Sequence, residues 1–129
     1  MERHLPRPTD AELGILRVIW RLGPSTVREI HDEMRKDQPR MGYTTVLKLL
    51  QIMTEKGLVE RDESQRAHVY RSSDSAESTQ RMLVADLAER AFGGSAAQLV
   101  MQALSGRKAS AKELAEIRDL LDSLEGGRK

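Results

Sequence analysis

The stretch TVREIHDEMRKDQPRMGYTTVLKLLQIMTEKGLVE, residues 26–60, decides the fold. It opens with Thr26-Val27-Arg28-Glu29, the spacing of a capping box, in which a Thr side chain caps a helix and the Glu three residues later returns the bond. Val27, Ile30 and Met34 then form one apolar stripe, so an amphipathic helix is expected, ended by polar residues and Pro39. A second periodic run starts near Gly42 and continues to about Lys56. Its inner face is Val46, Leu49, Leu50 and Met53, at i, i+3, i+4 and i+7. Gly57 is placed for a left-handed C-cap, and Leu58-Val59-Glu60-Arg61 has strand character.

Upstream, Thr9-Asp10-Ala11-Glu12 is another capping box. The helix it opens carries Leu13, Leu16 and Trp20 on one face, with Ile15 and Ile19 beside them, and Gly23-Pro24 stops it. Downstream, residues 62–66 are polar and turn-like, and Ala67-His68-Val69-Tyr70-Arg71 alternates like a strand. Three helices followed by a hairpin, the third helix with a polar outer face, give the order of a winged helix-turn-helix. Residues 72–75 are a polar hinge, which divides the chain into 1–72 and 73–129.

After the hinge the sequence reads as helical throughout. One helix spans 76–92 and ends at Gly93-Gly94; a shorter one spans 95–104 and ends at Ser105-Gly106. The last opens on the capping box Ser110-Ala111-Lys112-Glu113. Leu114, Ile117, Leu121 and Leu124 follow at 3-4-3 spacing, a narrow seam suited to a second helix and hence to dimerisation. Residues 126–129 are expected to fray. The expected fold is mainly α with a small β-hairpin: a winged helix-turn-helix domain, residues 1–72, then a helical dimerisation domain, residues 73–129.

Composition narrows the function classes. Of 129 residues, 39% are hydrophobic, 32% charged and only 3% aromatic, so the core is aliphatic, with Trp20 and the six Met residues as fillers. Cysteine is absent, which removes disulfides, thiolate catalysis and Cys-ligated zinc. The segment 1–8 has no apolar run, so it is not expected to act as a signal peptide. The richest apolar stretch, 46–53, is interrupted by Lys48 and Gln51 and is too short to span a membrane. A cytoplasmic protein without membrane insertion is expected. Net charge is +1; basic residues outnumber acidic ones 13 to 11 in 1–71 and trail them 8 to 9 in 72–129, which permits a nucleic-acid partner for the first half without requiring one.

Catalytic constellations are missing. His4, His31 and His68 lie on three separate elements without a metal-ligand spacing, no nucleophile–base pair stands out, and no glycine-rich phosphate loop follows a strand. No cofactor, no metal site and no enzymatic activity are expected. The third helix, by contrast, can read DNA: an α-helix fits the major groove and its N-terminal residues reach base edges. Thr44, Lys48, Gln51 and Glu55 lie opposite its apolar stripe, and Tyr43 and Thr45 sit in its first turn. Lys48 and Gln51 are candidates for base edges, and the hydroxyls of the first turn for phosphates. The hairpin carries Arg66 and His68, with Arg61 and Arg71 at its outer ends, and basic wings touch phosphates or a minor groove. The same patterns also suit a solvated helix face and a solubilised edge strand, so a winged helix that binds protein and not DNA stays as the alternative.

These residues together resemble the penicillinase-repressor (BlaI/MecI/CopY) family of bacterial transcriptional regulators, over about residues 9–124. The carriers are Ala11-Glu12-Leu13 through Ile19-Trp20, Thr26-Val27-Arg28-Glu29-Ile30, Tyr43-Thr44-Thr45-Val46-Leu47, Glu55-Lys56-Gly57-Leu58-Val59, His68-Val69-Tyr70, Phe92-Gly93-Gly94 and Glu116-Ile117-Arg118-Asp119-Leu120-Leu121.

The resemblance implies a homodimeric repressor on a pseudo-palindromic double-stranded operator, controlling resistance or stress-response genes. It matches Tyr43, Thr44, Thr45 and Lys48 to recognition-helix contacts and Arg66 and His68 to the wing, and it admits a membrane sensor-protease as inducer. Three positions depart from the pattern. Ile52 stands where relatives often carry a basic residue. The cysteine motif of the copper-responsive branch is absent. The Asn-Phe bond cleaved in the β-lactam-responsive branch aligns with Gln102-Ala103.

Overall fold

The computed structural model describes residues 6–106 and 108–126. Residues 1–5, with His4, and tail residues 127–129 lie outside the described residues.

Each helix of the N-terminal half starts where a side chain can satisfy its free N–H groups, α3 excepted. In α1 (Asp10–Leu22) the Thr9 hydroxyl accepts from the Glu12 N–H at 3.3 Å, and the Thr9 N–H donates to the Glu12 carboxylate at 2.8 Å. The same box starts α2 (Val27–Asp37) from Thr26 and Glu29. The third helix, α3, runs Tyr43–Lys56, and Gly57 closes it at φ 83°, ψ 17°, the left-handed C-cap expected of it. A Cβ at Gly57 would touch nothing within 4 Å, so only backbone strain opposes a substitution. Gly57→Ala is therefore expected to cost about 1–2 kcal/mol, read as a lower urea midpoint at unchanged m-value.

Between α1 and α2 lies a two-residue strand that sequence periodicity did not reveal, β1 (Ser25–Thr26). With β2 (Val59–Asp62) and β3 (Val69–Ser72) it forms an antiparallel sheet of order β1-β3-β2. The hairpin strands sit one or two residues later than the sequence suggested, because pairing of Val59 with Ser72 and Asp62 with Val69 sets the register. The central strand places Tyr70, 1% exposed, into the core.

That core is built by α1, α2, α3 and the sheet: Ile15, Leu16, Val18 and Ile19 from α1, Val27, Ile30 and Met34 from α2, Val46, Leu50 and Met53 from α3, then Leu58, Val59 and Tyr70. On α1 the stripe is rotated from the expected one, with Val18 buried and Leu13 half-buried. Trp20 packs at the margin and donates from Nε1 to the Ser72 hydroxyl at 3.1 Å, which ties the end of α1 to the end of β3.

One charge lies inside this core. Glu12 is 2% exposed and accepts from Lys56 Nζ at 2.6 Å; Lys56 also donates to the Arg7 carbonyl. Burial alone would raise the Glu12 pKa, but the Lys56 ammonium and the Thr9 hydrogen bonds outweigh it and hold the carboxyl below its ordinary value.

Beyond the sheet come α4 (Ala76–Phe92), α5 (Ala96–Gly106) and α6 (Ala111–Gly126). Ser75 caps α4, and Ser110 and Glu113 form the expected capping box of α6. Gly93 and Gly94 take φ 57° and 87° and end α4. The chain separates into two compact units, residues 1–84 and 85–129, so α4 begins in one and ends in the other. In the second unit α5 and α6 bury no residue completely. Val100, Met101, Leu104, Leu120, Leu121 and Leu124 are exposed, Leu114 and Ile117 half-buried. Met101, 67% exposed, is thus not a core filler; Met34 and Met53 are buried, while Met41 and Met82 are half-buried.

Candidate nucleic-acid interface

Among the described residues, α1, α2 and α4 each start on a side-chain cap and α3 does not. Its N-cap is Gly42, which has no side chain to bond the first N–H groups, so the partial positive charge there faces outward. Tyr43, Thr44 and Thr45 occupy the first turn and all three are exposed. Lys48 and Gln51 continue the exposed face, because Val46, Leu50 and Met53 turn the opposite side into the core.

The wing comes back to this helix start. Arg66 and His68 are exposed, and with Arg28, Thr26, Leu47 and Tyr43 they line a cleft of about 350 Å³. The structure thus brings Tyr43 together with both wing residues. The wing tip is set by Asp62, which accepts from the Ser64 N–H at 2.9 Å; hydrogen bonds from the Ser64 side chain and backbone hold its carboxyl below the usual range.

A second cleft, about 480 Å³, is lined by Arg28, His31, Asp32, Arg35 and Tyr43. A third, about 560 Å³, runs along the turn from Gln38 to Gly42 and reaches Thr45; Arg40 lines it. The sequence pattern pointed to the third helix and the wing and not to these arginines of α2 and the turn. A signal existed: Arg28 and Arg35 stand seven residues apart on α2, away from the Val27, Ile30, Met34 stripe, and so share a face.

Ion pairing divides the cations of this unit. Arg21 and Lys36 both bind Glu33, Lys56 binds Glu12, Arg61 binds Glu63 at 2.6 Å and Arg71 binds Glu60 at 2.8 Å. The two arginines at the hairpin's outer ends are thus already engaged with acids. Arg17 on α1 and, toward α3, Arg28, Arg35, Arg40, Lys48 and Arg66 make no ion pair among the described residues, and four of the latter five line the three clefts around Tyr43 and the turn before it. Asp32 is the one acid lining these clefts among the described residues. A surface of unpaired guanidinium and ammonium groups beside an uncapped helix start attracts a polyanion.

Among the described residues no group of three or more His, Cys, Asp or Glu is placed to hold a metal ion, and no helix is long and apolar enough to cross a membrane.

Comparison with known proteins bears on the fold. The family model described as penicillinase repressor matches residues 8–123. Two curated relatives, both named transcriptional regulator BlaI and from two strains of Mycobacterium tuberculosis, are 38% identical over 69 residues, which is 51% of this chain and 48% of theirs. The chain thus spans about half the length of the curated relatives it matches. A solution structure of the DNA-binding domain of the repressor BlaI superposes with a TM-score of 0.50 at 24% identity, over 58% of this chain and 90% of that one. That likeness is one of fold, the winged helix.

Proposed function

Since the chain belongs to the penicillinase repressor family, whose members are transcriptional regulators and not enzymes, we propose that it is a sequence-specific repressor that binds a pseudo-palindromic operator as a homodimer. The observation that supports this reading best is the surface around Tyr43: an uncapped recognition-helix start, an adjoining wing and five cations without acid partners among the described residues. A winged helix that binds only protein would have no need of such a basic band.

In this reading residues 1–72 bind DNA. Lys48 and Gln51 meet base edges in the major groove; Tyr43, Thr44 and Thr45 fix the helix start on the backbone; Arg66 and His68 carry the wing onto the adjoining strand. Arg28, Arg35 and Arg40 extend the backbone contact. Residues 73–129 dimerise through Leu114, Ile117, Leu121 and Leu124, on helices that find no complete cover within their own chain. The repressor works in the cytoplasm on resistance or stress-response genes. A membrane sensor-protease is its candidate inducer, acting at a bond other than Asn-Phe, since Gln102-Ala103 stands at that position. Copper sensing through a cysteine motif is excluded by the lack of cysteine.

Two substitutions test the interface. Lys48→Ala is expected to cost about 1–3 kcal/mol on the operator and to relax preference at one position in each half-site. Arg66→Ala should weaken operator and random duplexes alike and reduce the salt slope by about one unit for each phosphate no longer neutralised. Both are read by titrating a labelled duplex across a salt series. Operator affinities equal to the wild type for both variants contradict the assignment.

A further inference from the structure

Resting on the DNA-binding reading above, we propose that His31 is a positioning residue for recognition: without touching DNA, it fixes Tyr43 and the turn that leads into α3. Two observations on one imidazole carry this. His31 Nε2 lies 2.8 Å from the Met41 carbonyl oxygen. A carbonyl only accepts, so Nε2 bears the proton and donates. The same ring stands edge-to-face with Tyr43, centroids 5.7 Å apart and planes at 87°, within the favoured range for an aromatic pair.

The turn needs this support. Gly42 offers no capping side chain. The Met41 N–H donates to the Gln38 carbonyl at 2.9 Å, which closes the turn on itself, and the Met41 side chain packs against the core without making a hydrogen bond. Among the described residues, His31 is the one side chain that hydrogen-bonds to residues 38–42. It is held in turn by α2, whose Ile30 and Met34 are buried. His31 therefore joins Met41 in carrying the rigidity of the core into the first turn of α3, and it alone of the two stands against the Tyr43 ring.

Tyr43 is the residue with most to gain. It is 48% exposed and borders both the cleft with Arg66 and His68 and the cleft with Arg28 and Arg35. Without a neighbour its ring would sample several rotamers, and binding would have to order it. Against His31 it is already placed. The positioning serves the backbone contact of the helix start, which every duplex offers.

The test is a double-mutant cycle on the full-length chain. The probes are a duplex that the wild-type chain selects from a random pool and a scrambled duplex of equal length. His31→Ala is expected to weaken the selected and the scrambled duplex alike, each about 5–10-fold, the size of one aromatic contact, because Tyr43 meets the backbone. In a Tyr43→Ala background the same substitution should cost less than about 2-fold. His31→Phe, which keeps the ring edge but not the donor, should recover part of the loss, and it carries the same cycle if His31→Ala does not fold. Equal losses in both backgrounds, or a loss confined to the selected duplex, overturn the inference and leave DNA binding standing. A wild-type chain that prefers no duplex overturns both.

Discussion

Replacing Leu121 and Leu124 together by Glu is expected to convert the protein to a monomer at about 10 μM and to weaken operator binding by about 100-fold or more, the avidity that linked half-site contacts supply. Both side chains are more than half exposed within the chain, so charge there leaves the fold of the single chain intact. In a dimer they would be covered. Since each is about half covered in the single chain already, burying the rest of four such leucines contributes about 3–6 kcal/mol per dimer, and four carboxylates in their place would be desolvated without partners. Light scattering reads the first effect and a duplex titration the second. A double variant that remains dimeric refutes the assignment of the α6 seam.

The second large effect concerns stability. Glu12→Ala removes a carboxylate that joins α1 to the end of α3 and also completes the α1 capping box. Breaking a buried pair costs about 3–5 kcal/mol when the remaining charge is stranded. Lys56 keeps 33% of its side-chain surface and can turn to water, so about 2–3 kcal/mol is expected, visible as a lower midpoint in urea. The same carboxyl gives a pH signature. Its folded pKa lies below the ordinary value, so its contribution is complete above the unfolded value of about 4.3. It disappears as pH falls through the folded pKa. Wild type and Glu12→Ala should therefore converge in stability as the solution is acidified below about pH 4. A difference that stays constant far below that pH would show that the ion pair is not the source.

Much of the fold was legible because its signals are local. Capping boxes at Thr9, Thr26 and Ser110 and the left-handed Gly57 act across three or four residues, and the structure has all four. What sequence could not supply is set by partners far along the chain. Ser25–Thr26 is a strand only because β3 pairs with it, and two residues carry no periodicity. The rotation of α1 that buries Val18 in preference to Leu13 follows from how it meets α2 and α3. Met101 looked like a filler because its helix is apolar, yet nothing in the described chain covers it fully. For the candidate site, the exposed face of α3 could be read from its stripe. The meeting of Tyr43 with Arg28, Arg35 and Arg66 could not, because it depends on the wing folding back and on α2 lying beside the helix start.

The central claim is that two copies of one winged helix read two copies of one half-site. Selection of bound duplexes from a random pool by the purified full-length chain, followed by sequencing, tests it most directly. The expected result is an enriched inverted repeat whose half-site centres are about 10 base pairs, or a multiple of that, apart, with enrichment reduced by Lys48→Ala. A pool that shows no enrichment, or that yields a motif without inverted symmetry, would contradict it.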